Sequence, residues 1–483
     1  MSTFVIIVTV VVYLLFMFCV AWLAGRNSDN SAFFSGSRKS RWYIAALAMI
    51  GAPMSGVTFV SVPGMVMNSG FGYLQMCLGF VAGYLVISFA LIPLFYKLNV
   101  VSIYQYLESR FGAASYKTGA WFFFISKILG ASVRFFLVCL TLQLLVFDPL
   151  GLPFILNVFL SVLIVFAYTF TGGVKTVIWT DALRTLCMIL AVVLGIVFIS
   201  KNMNLDFSGL VNSVKGSGMS RIFFFSDVKE SQYFWKQFLA GLFTAVAMTG
   251  LDQDMMQRPL SCKDPRESRK NMITSGVMQV IVVFLFLCLG VLLYQFAAAN
   301  GIAETGDKIF AAVATSDLLP GIVGILFIVG LVASAYGAGG SALTSLTTSF
   351  TVDILGAAKK GETGLTRTRK RVHLAMAALM AVVIVVFNKL SNTSAINAVY
   401  TLASYTYGPI LGMFAFGLAC KRKVKDKFVP LVAILAPALC LILQLNSERW
   451  FGGYKFSYEI LLINAIFVVI GLCCLIEKEK SVE

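Results

Sequence analysis

The sequence predicts an all-α polytopic membrane protein built from two five-helix halves of opposite orientation. Three observations carry this. The chain has 483 residues, 59% of them hydrophobic and only 12% charged, which is too apolar for a soluble protein of this length. About thirteen apolar stretches of about 17–30 residues alternate with polar loops, and Lys and Arg concentrate in every second loop. Two of the stretches, five spans apart, are interrupted by small or helix-breaking residues at membrane depth.

The expected spans cover 4–24, 42–70, 73–96, 118–147, 152–170, 178–200, 234–256, 272–298, 320–354, 372–388, 393–419, 428–445 and 457–475. The first has no basic residue before it and no small-residue cleavage pattern, so it reads as a retained span. Loops such as Arg26–Arg41, Lys97–Lys117, Arg258–Lys270 and Lys421–Lys427 are rich in Lys and Arg, and the loops between them are poorer. The positive-inside rule puts the richer set in the cytoplasm, the N-terminus outside and the C-terminus inside a cell membrane. The formal charge of +16 therefore reports topology rather than a nucleic-acid partner. Expected partners are the bilayer and a small-molecule solute; the oligomeric state is open, a monomer included. Ser102–Gly112 is amphipathic and reads as a short interfacial helix. The segment 202–233 is the longest outside loop, and its Phe223–Phe225 run suits a lid. Ten scattered cysteines without metal-type spacing read as reduced core thiols. The single histidine, His373, is expected at the interface.

The stretch Ile50–Gly64, IGAPMSGVTFVSVPG, lies inside the second span. Pro53 removes a backbone donor, and Gly51 and Gly56 loosen the turn around it. It reads either as a kinked helix packed through small residues or as a broken helix whose freed backbone lines a cavity. The seventh span carries Thr249–Gly250 followed by Asp252, Gln253 and Asp254. Spans two to six and seven to eleven then form two halves, 41–201 and 234–420, each opening on an interrupted helix. An odd number of spans per half inverts one against the other, and paired interrupted helices favour the binding-site reading. Residues 1–40 add a helix and a cytoplasmic loop, 202–233 is extracellular, and 421–483 adds two helices and a tail.

Arg134 falls deep in the fourth span, where an ionised guanidinium needs a cavity or a partner. Its planar fork suits a carboxylate, either of an anionic solute or of Asp252. Lys127, about two turns toward the cytoplasm, is expected to snorkel or line the inner vestibule. Asp181 and Arg184 share one face of the sixth span at i and i+3. They read as an interfacial ion pair or as an ion or proton site. The ninth span holds Ser334-Ala-Tyr-Gly-Ala-Gly-Gly-Ser341, where glycines allow close approach and hydroxyls offer oxygens.

Four stretches resemble the sodium:solute symporters, whose fold is the inverted repeat of the leucine-transporter type. They are GSRKSRWYIAALAMIGAPMSGVTFVSVPG, TGGVKTVIWTDALR, GLDQDMMQRPLSCKDPRESRK and LTSLTTSFTVDI. The resemblance covers about residues 30–420 and implies alternating access at a midplane site, driven by sodium, with no other cofactor. It places the main sodium site on the carbonyls of Gly51, Met54 and Ser334 and on a hydroxyl pair. With Asp353 setting the register, that pair falls on Gly337 and Ala338, which have no hydroxyl. A register shift of three or four residues would restore Ser341, Thr344 or Ser345. The family usually has Gln where this chain has Arg184, so the Arg184 guanidinium is expected to stand in the vacated cation position and donate to those carbonyls. A further ion site would use Asp181 and Ser341, with Gly340 in place of the other hydroxyl.

The resemblance is closest to members that carry organic anions, sialic acids included. It implies a solute held by Ser55, Thr58, Gln75 and Arg134. Met248 and Thr249 stand where sugar carriers have an aromatic inner gate, which points to a small organic acid over a neutral hexose. Proton coupling through Asp181, Asp252 or Asp254, a sodium-independent facilitator and a membrane sensor are the competing readings. A membrane enzyme would need a His cluster or a nucleophile with its partner, and neither is visible.

Overall fold

The computed structural model describes residues 3–26, 28–54, 56–170, 172–226, 230, 232–357, 361–390, 395–452, 456 and 459–477. The described chain is helical apart from turns and two isolated bridges, Ser40 with Cys262 and Val424 with Ile476. The principal helices are α1 (Thr3–Gly25), α2 (Trp42–Gly51), α3 (Gly56–Gly64), α4 (Tyr73–Val86), α5 (Ala113–Leu142), α6 (Phe154–Thr169) and α7 (Gly173–Asn202). They continue as α8 (Phe234–Ala245), α9 (Gln253–Leu260), α10 (Pro265–Ala299), α11 (Gly321–Ser349), α12 (Glu362–Leu390), α13 (Ala395–Ala419), α14 (Val429–Leu445) and α15 (Ile460–Cys474). Each of the thirteen expected ranges contains a helix. Among the described residues, nine helices are long and apolar enough to cross a bilayer, and α2, α6 and α15 are shorter apolar helices. Most exposed large side chains on these helices are apolar, such as Phe4, Leu15 and Trp22 on α1, as a lipid-facing surface requires.

Both interruptions are present. α2 stops at Gly51, residues 52–54 leave the helix, and α3 resumes at Gly56. Pro53 has no N–H to continue the ladder, and the chain instead closes a tight turn through Met54 N–H to the Gly51 carbonyl at 3.0 Å. In the second half, α8 widens into a π-turn over Val246–Gly250 before Leu251 and Asp252 leave the helix. Asp252 then caps α9, its carboxylate accepting from Met255 N–H at 3.1 Å. Asp264 caps α10 in the same way, with Pro265 at the first helical position. α7 and α11 pack against each other, and α2, α9 and α10 pack around the first break.

Two expectations about the periphery change. Ser102–Gly112 forms only a short helix, Gln105–Arg110, with Tyr106 and Leu107 buried. It packs into the protein against α5 and is not a free interfacial helix. His373 is buried at 1% exposure rather than placed at the interface. Its ring lies between the hydroxyls of Thr169 and Thr347, at 3.0 and 2.8 Å, and stacks on Phe166. Two hydroxyls from α6 and α11 satisfy both ring nitrogens, so burial leaves neither without a partner.

Candidate solute and ion site

The two breaks open onto one cavity of about 120 Å³. Ala52, Pro53, Met54 and Thr58 come from the first break and α3; Ser126, Lys127 and Arg134 from α5; Thr249, Asp252 and Asp254 from the second. Gln279 of α10, Ser334, Ala338 and Ser341 of α11, and Tyr407 of α13 also line the cavity. Of the four expected solute ligands, Thr58 and Arg134 line this cavity. Ser55 lies outside the described residues.

Arg134 is half-buried and makes no ion pair or hydrogen bond with any described residue. Asp252, the carboxylate expected as its alternative partner, is taken instead by Lys127. The Lys127 ammonium lies 2.6 Å from Asp254 and 3.1 Å from Asp252, and Tyr407 donates its hydroxyl to Asp252. Lys127 therefore does not snorkel; at 6% exposure it is held by two carboxylates from the second break. A cation this deep is stable only with such partners.

Gln75 is placed elsewhere than expected. It is fully buried, and its amide donates to the carbonyls of Gly72 and Gln232 at 3.3 and 2.9 Å while accepting from Phe224 N–H at 3.1 Å. Both ends of the amide are taken by Gly72, Gln232 and Phe224, so Gln75 ties Phe224 and Gln232 to its helix and does not face the cavity. The Phe223 and Phe225 rings nearby stack, and Phe225 packs tilted against Phe234. Gln75→Ala should raise amide exchange across residues 219–226 by at least tenfold while changing the solute KM less than threefold, since two tethering hydrogen bonds of about 1 kcal/mol each are lost. A KM rise above tenfold with unchanged exchange would return Gln75 to the solute site.

The ion-site residues adjoin this cavity, and Met54, Ser334, Ala338 and Ser341 line it. Asp181 and Arg184 are in contact as their spacing predicts, at 3.4 Å, but both are fully buried rather than interfacial. The stronger partner of Asp181 is Arg258, whose Nη2 and Nε lie 2.5 and 2.9 Å from one carboxylate oxygen. Arg258 also donates to Ser341 at 2.5 Å and to the Asp254 carbonyl at 2.7 Å, and Ser341 donates to the Asp254 carboxylate. The Asp181–Ser341 pair thus holds a guanidinium. In the sequence Arg258 reads as a loop cation because it stands beside Lys263 and Arg266. What signals its burial is the alternation in DQDMMQR, which puts Asp254 and Arg258 one helical turn apart.

Arg184 fills the corner between the first break and α11. A Cβ at Gly337 would lie 2.5 Å from Arg184 Cδ and 2.8 Å from its Nη1, and one at Gly51 would lie 3.4 Å from its Nε. Gly337 is therefore glycine because the arginine occupies the space of a side chain. The three guanidinium nitrogens make no hydrogen bond among the described residues, so the expected donation to the Gly51, Met54 or Ser334 carbonyls is not made in this conformation. Met54, Ser334 and Ala338 line the cavity beside it.

A membrane-embedded cavity between two interrupted helices of opposite halves, lined by buried charge, defines a secondary transporter. The chain belongs to the sodium:solute symporter family, whose model matches residues 33–426. It is similar to the sodium/sialic acid symporter NanT of Aliivibrio fischeri, 25% identical over 89% of this chain and 85% of that one. It is also similar to human sodium-coupled monocarboxylate transporter 2, 26% identical over 54% of this chain and 42% of that one. The fold matches the substrate-bound, outward-open state of a Na+-coupled sialic acid symporter with a TM-score of 0.83, at 20% identity and 97% coverage of both chains.

Proposed function

We propose that this transporter moves a small organic anion through the cavity between the two breaks, its carboxylate held by Arg134. The carrying observation is that Arg134 faces the cavity without a described partner while the neighbouring cation, Lys127, is held by two carboxylates. A guanidinium fork takes a carboxylate in two parallel hydrogen bonds. Thr58 of α3 and, by sequence spacing, Ser55 supply hydroxyls to the same solute. The halves 41–201 and 234–420 move about this site, with the N-terminus outside and the C-terminus in the cytoplasm. Similarity to sialic acid and monocarboxylate carriers supports carboxylates as the class to test. In liposomes carrying the purified protein, labelled N-acetylneuraminate or lactate should enter above protein-free controls and be competed by the unlabelled acid. Uptake of neither would sink the reading.

The same family frame assigns a cation to the C-terminal end of α2, where a half-helix presents carbonyls and the negative end of its dipole. Arg184 supplies positive charge near that end, packed against Gly51 and Gly337, and competes there with a sodium ion. The triple variant Arg184→Gln/Gly337→Ser/Ala338→Ser should lower the sodium concentration for half-maximal uptake at least tenfold relative to the parent. An unchanged sodium response in a folded variant would remove Arg184 from the cation position.

A further inference from the structure

The cavity extends from the breaks toward one face of the membrane and ends on a floor at the other. Tyr73 and Phe80 of α4, Val138 of α5 and Thr244 of α8 line it on the side that the loop charges place outside. At the opposite end it meets Asp252, Asp254 and Arg258, the charged residues of α9 and its cap. All three are tied to other helices. Lys127 of α5 lies 2.6 Å from Asp254 and 3.1 Å from Asp252, and Tyr407 of α13 donates to Asp252. Arg258 reaches Asp181 of α7 at 2.5 Å and donates to Ser341 of α11. Beneath this floor the segment 101–104 closes against the second break. Gln253 accepts from Ile103 N–H at 2.9 Å and donates to the Val101 carbonyl at 3.0 Å, and Tyr104 donates to the Leu251 carbonyl at 2.9 Å. The joints of α9 let it move by itself. It has eight residues, set off from α8 at Leu251 and Asp252 and from α10 by the turn at 261–264, whereas α5 and α7 run unbroken for 30 residues each. A short segment between two non-helical joints swings more readily than a long packed helix bends.

Resting on the orientation proposed above, we infer that α9 is the cytoplasmic gate and that Lys127 is the positioning residue that holds it shut. Solute entering from outside rests above the floor and leaves when α9 swings away from α5, α7 and α11. The chemistry of the tie suits a gate. What buried charges gain from each other they lose in hydration, so an ion-pair network binds its elements with little net energy. As α9 swings out, water reaches Lys127, Asp252 and Asp254 and replaces the partners they give up, which keeps the open and closed states close in energy. A floor of packed apolar side chains would instead expose its surface to water at every opening. Lys127 dominates because its one ammonium spans both carboxylates, and Tyr407 adds a neutral donor to Asp252. Removing ties that exist only in the closed state shifts the population toward the open one.

The test uses the full-length protein in sealed membrane vesicles of either orientation and a charged thiol reagent that does not cross the bilayer. Rates are taken above those of the ten native cysteines. Two reporters are introduced singly. Ser345→Cys lies one turn beyond Ser341 and Ala342, in line with their cavity-facing stripe, at a fully buried position. Thr244→Cys lies half-buried in the outer wall of the cavity. Relative to the parent, Lys127→Met should raise the reaction of the Ser345→Cys thiol from the cytoplasmic side at least tenfold. It should lower the reaction of the Thr244→Cys thiol from outside at least threefold. Tyr407→Phe, which keeps every charge and the ring, should move both rates in the same directions at least twofold, and it carries the test where Lys127→Met does not fold. An unchanged rate at Ser345→Cys in folded variants overturns the gate, and so does a rise at both reporters, the mark of general loosening. Reaction of Ser345→Cys from outside overturns the orientation and the cytoplasmic placement with it. Neither rate needs a solute, so a failure of carboxylate uptake removes the anion reading and leaves this inference standing.

Discussion

Arg134→Ala abolishes anion uptake at submillimolar solute and leaves the protein in the membrane at parental levels. A charge-assisted hydrogen bond contributes about 1.5–3 kcal/mol, and the guanidinium fork makes two, so KM rises by at least about 100-fold. Arg134→Lys retains the charge but loses the planar fork, and its KM lies between the two. The distinctive part of the expectation concerns stability. Arg134 has no described partner to strand, so removing it breaks no ion pair and relieves a partly buried charge. Thermal unfolding in detergent should therefore shift upward or not at all. Unchanged uptake would take Arg134 out of the site; lost uptake with a large fall in thermal stability would make its role structural instead.

Arg258→Ala has the opposite profile. Arg258 is 2% exposed and joins α9 to Asp181 of α7 and Ser341 of α11. Its loss leaves Asp181 with only the longer Arg184 contact and deprives Ser341 and the Asp254 carbonyl of a donor. Breaking a buried pair on one side costs about 3–5 kcal/mol, a large fraction of what holds a folded domain together. Unfolding in detergent should move down by several degrees and expression should fall. The paired variant Asp181→Asn/Arg258→Gln removes both charges, and its destabilisation should be smaller than the sum of the singles by about 1–3 kcal/mol. Additive losses would mean that the two side chains do not interact in the folded protein. Both Arg258→Ala and the pair should impair transport, because the network joins elements of both halves and alternating access requires them to move.

These two arginines show what was legible in the sequence. The fold class followed from apolar run lengths and loop charge, because a bilayer allows only helices or closed barrels to span it. Both breaks were legible for a local reason: proline and glycine act through their own backbone wherever they occur. Arg134 and Arg184 were recognisable because a guanidinium inside an apolar run is conspicuous. Arg258 was not, since its sequence neighbours are basic and only the third dimension carries it under α7 and α11. Lys127 was visible as a cation in a span, yet its partners sit over a hundred residues away on the second break. Gln75 shows the converse failure. Its position matches a solute ligand in the resemblance, but Phe224 and Gln232 come back to that helix and take up its amide. An alternating pattern reports which face a residue occupies, and says nothing about which loop comes back to meet it.

The space that Gly337 leaves to Arg184 also constrains the order in which this chain can change. Any side chain at 337 would meet the arginine's stem before meeting anything else. A hydroxyl therefore cannot be introduced there while Arg184 remains. Removing Arg184 first strips a cation from Asp181 and opens a void against Gly51, so that step is costly as well. The arginine and the glycine hold each other in place as a ratchet: each is tolerated because of the other, and descendants of this sequence are steered away from acquiring the hydroxyl pair one substitution at a time.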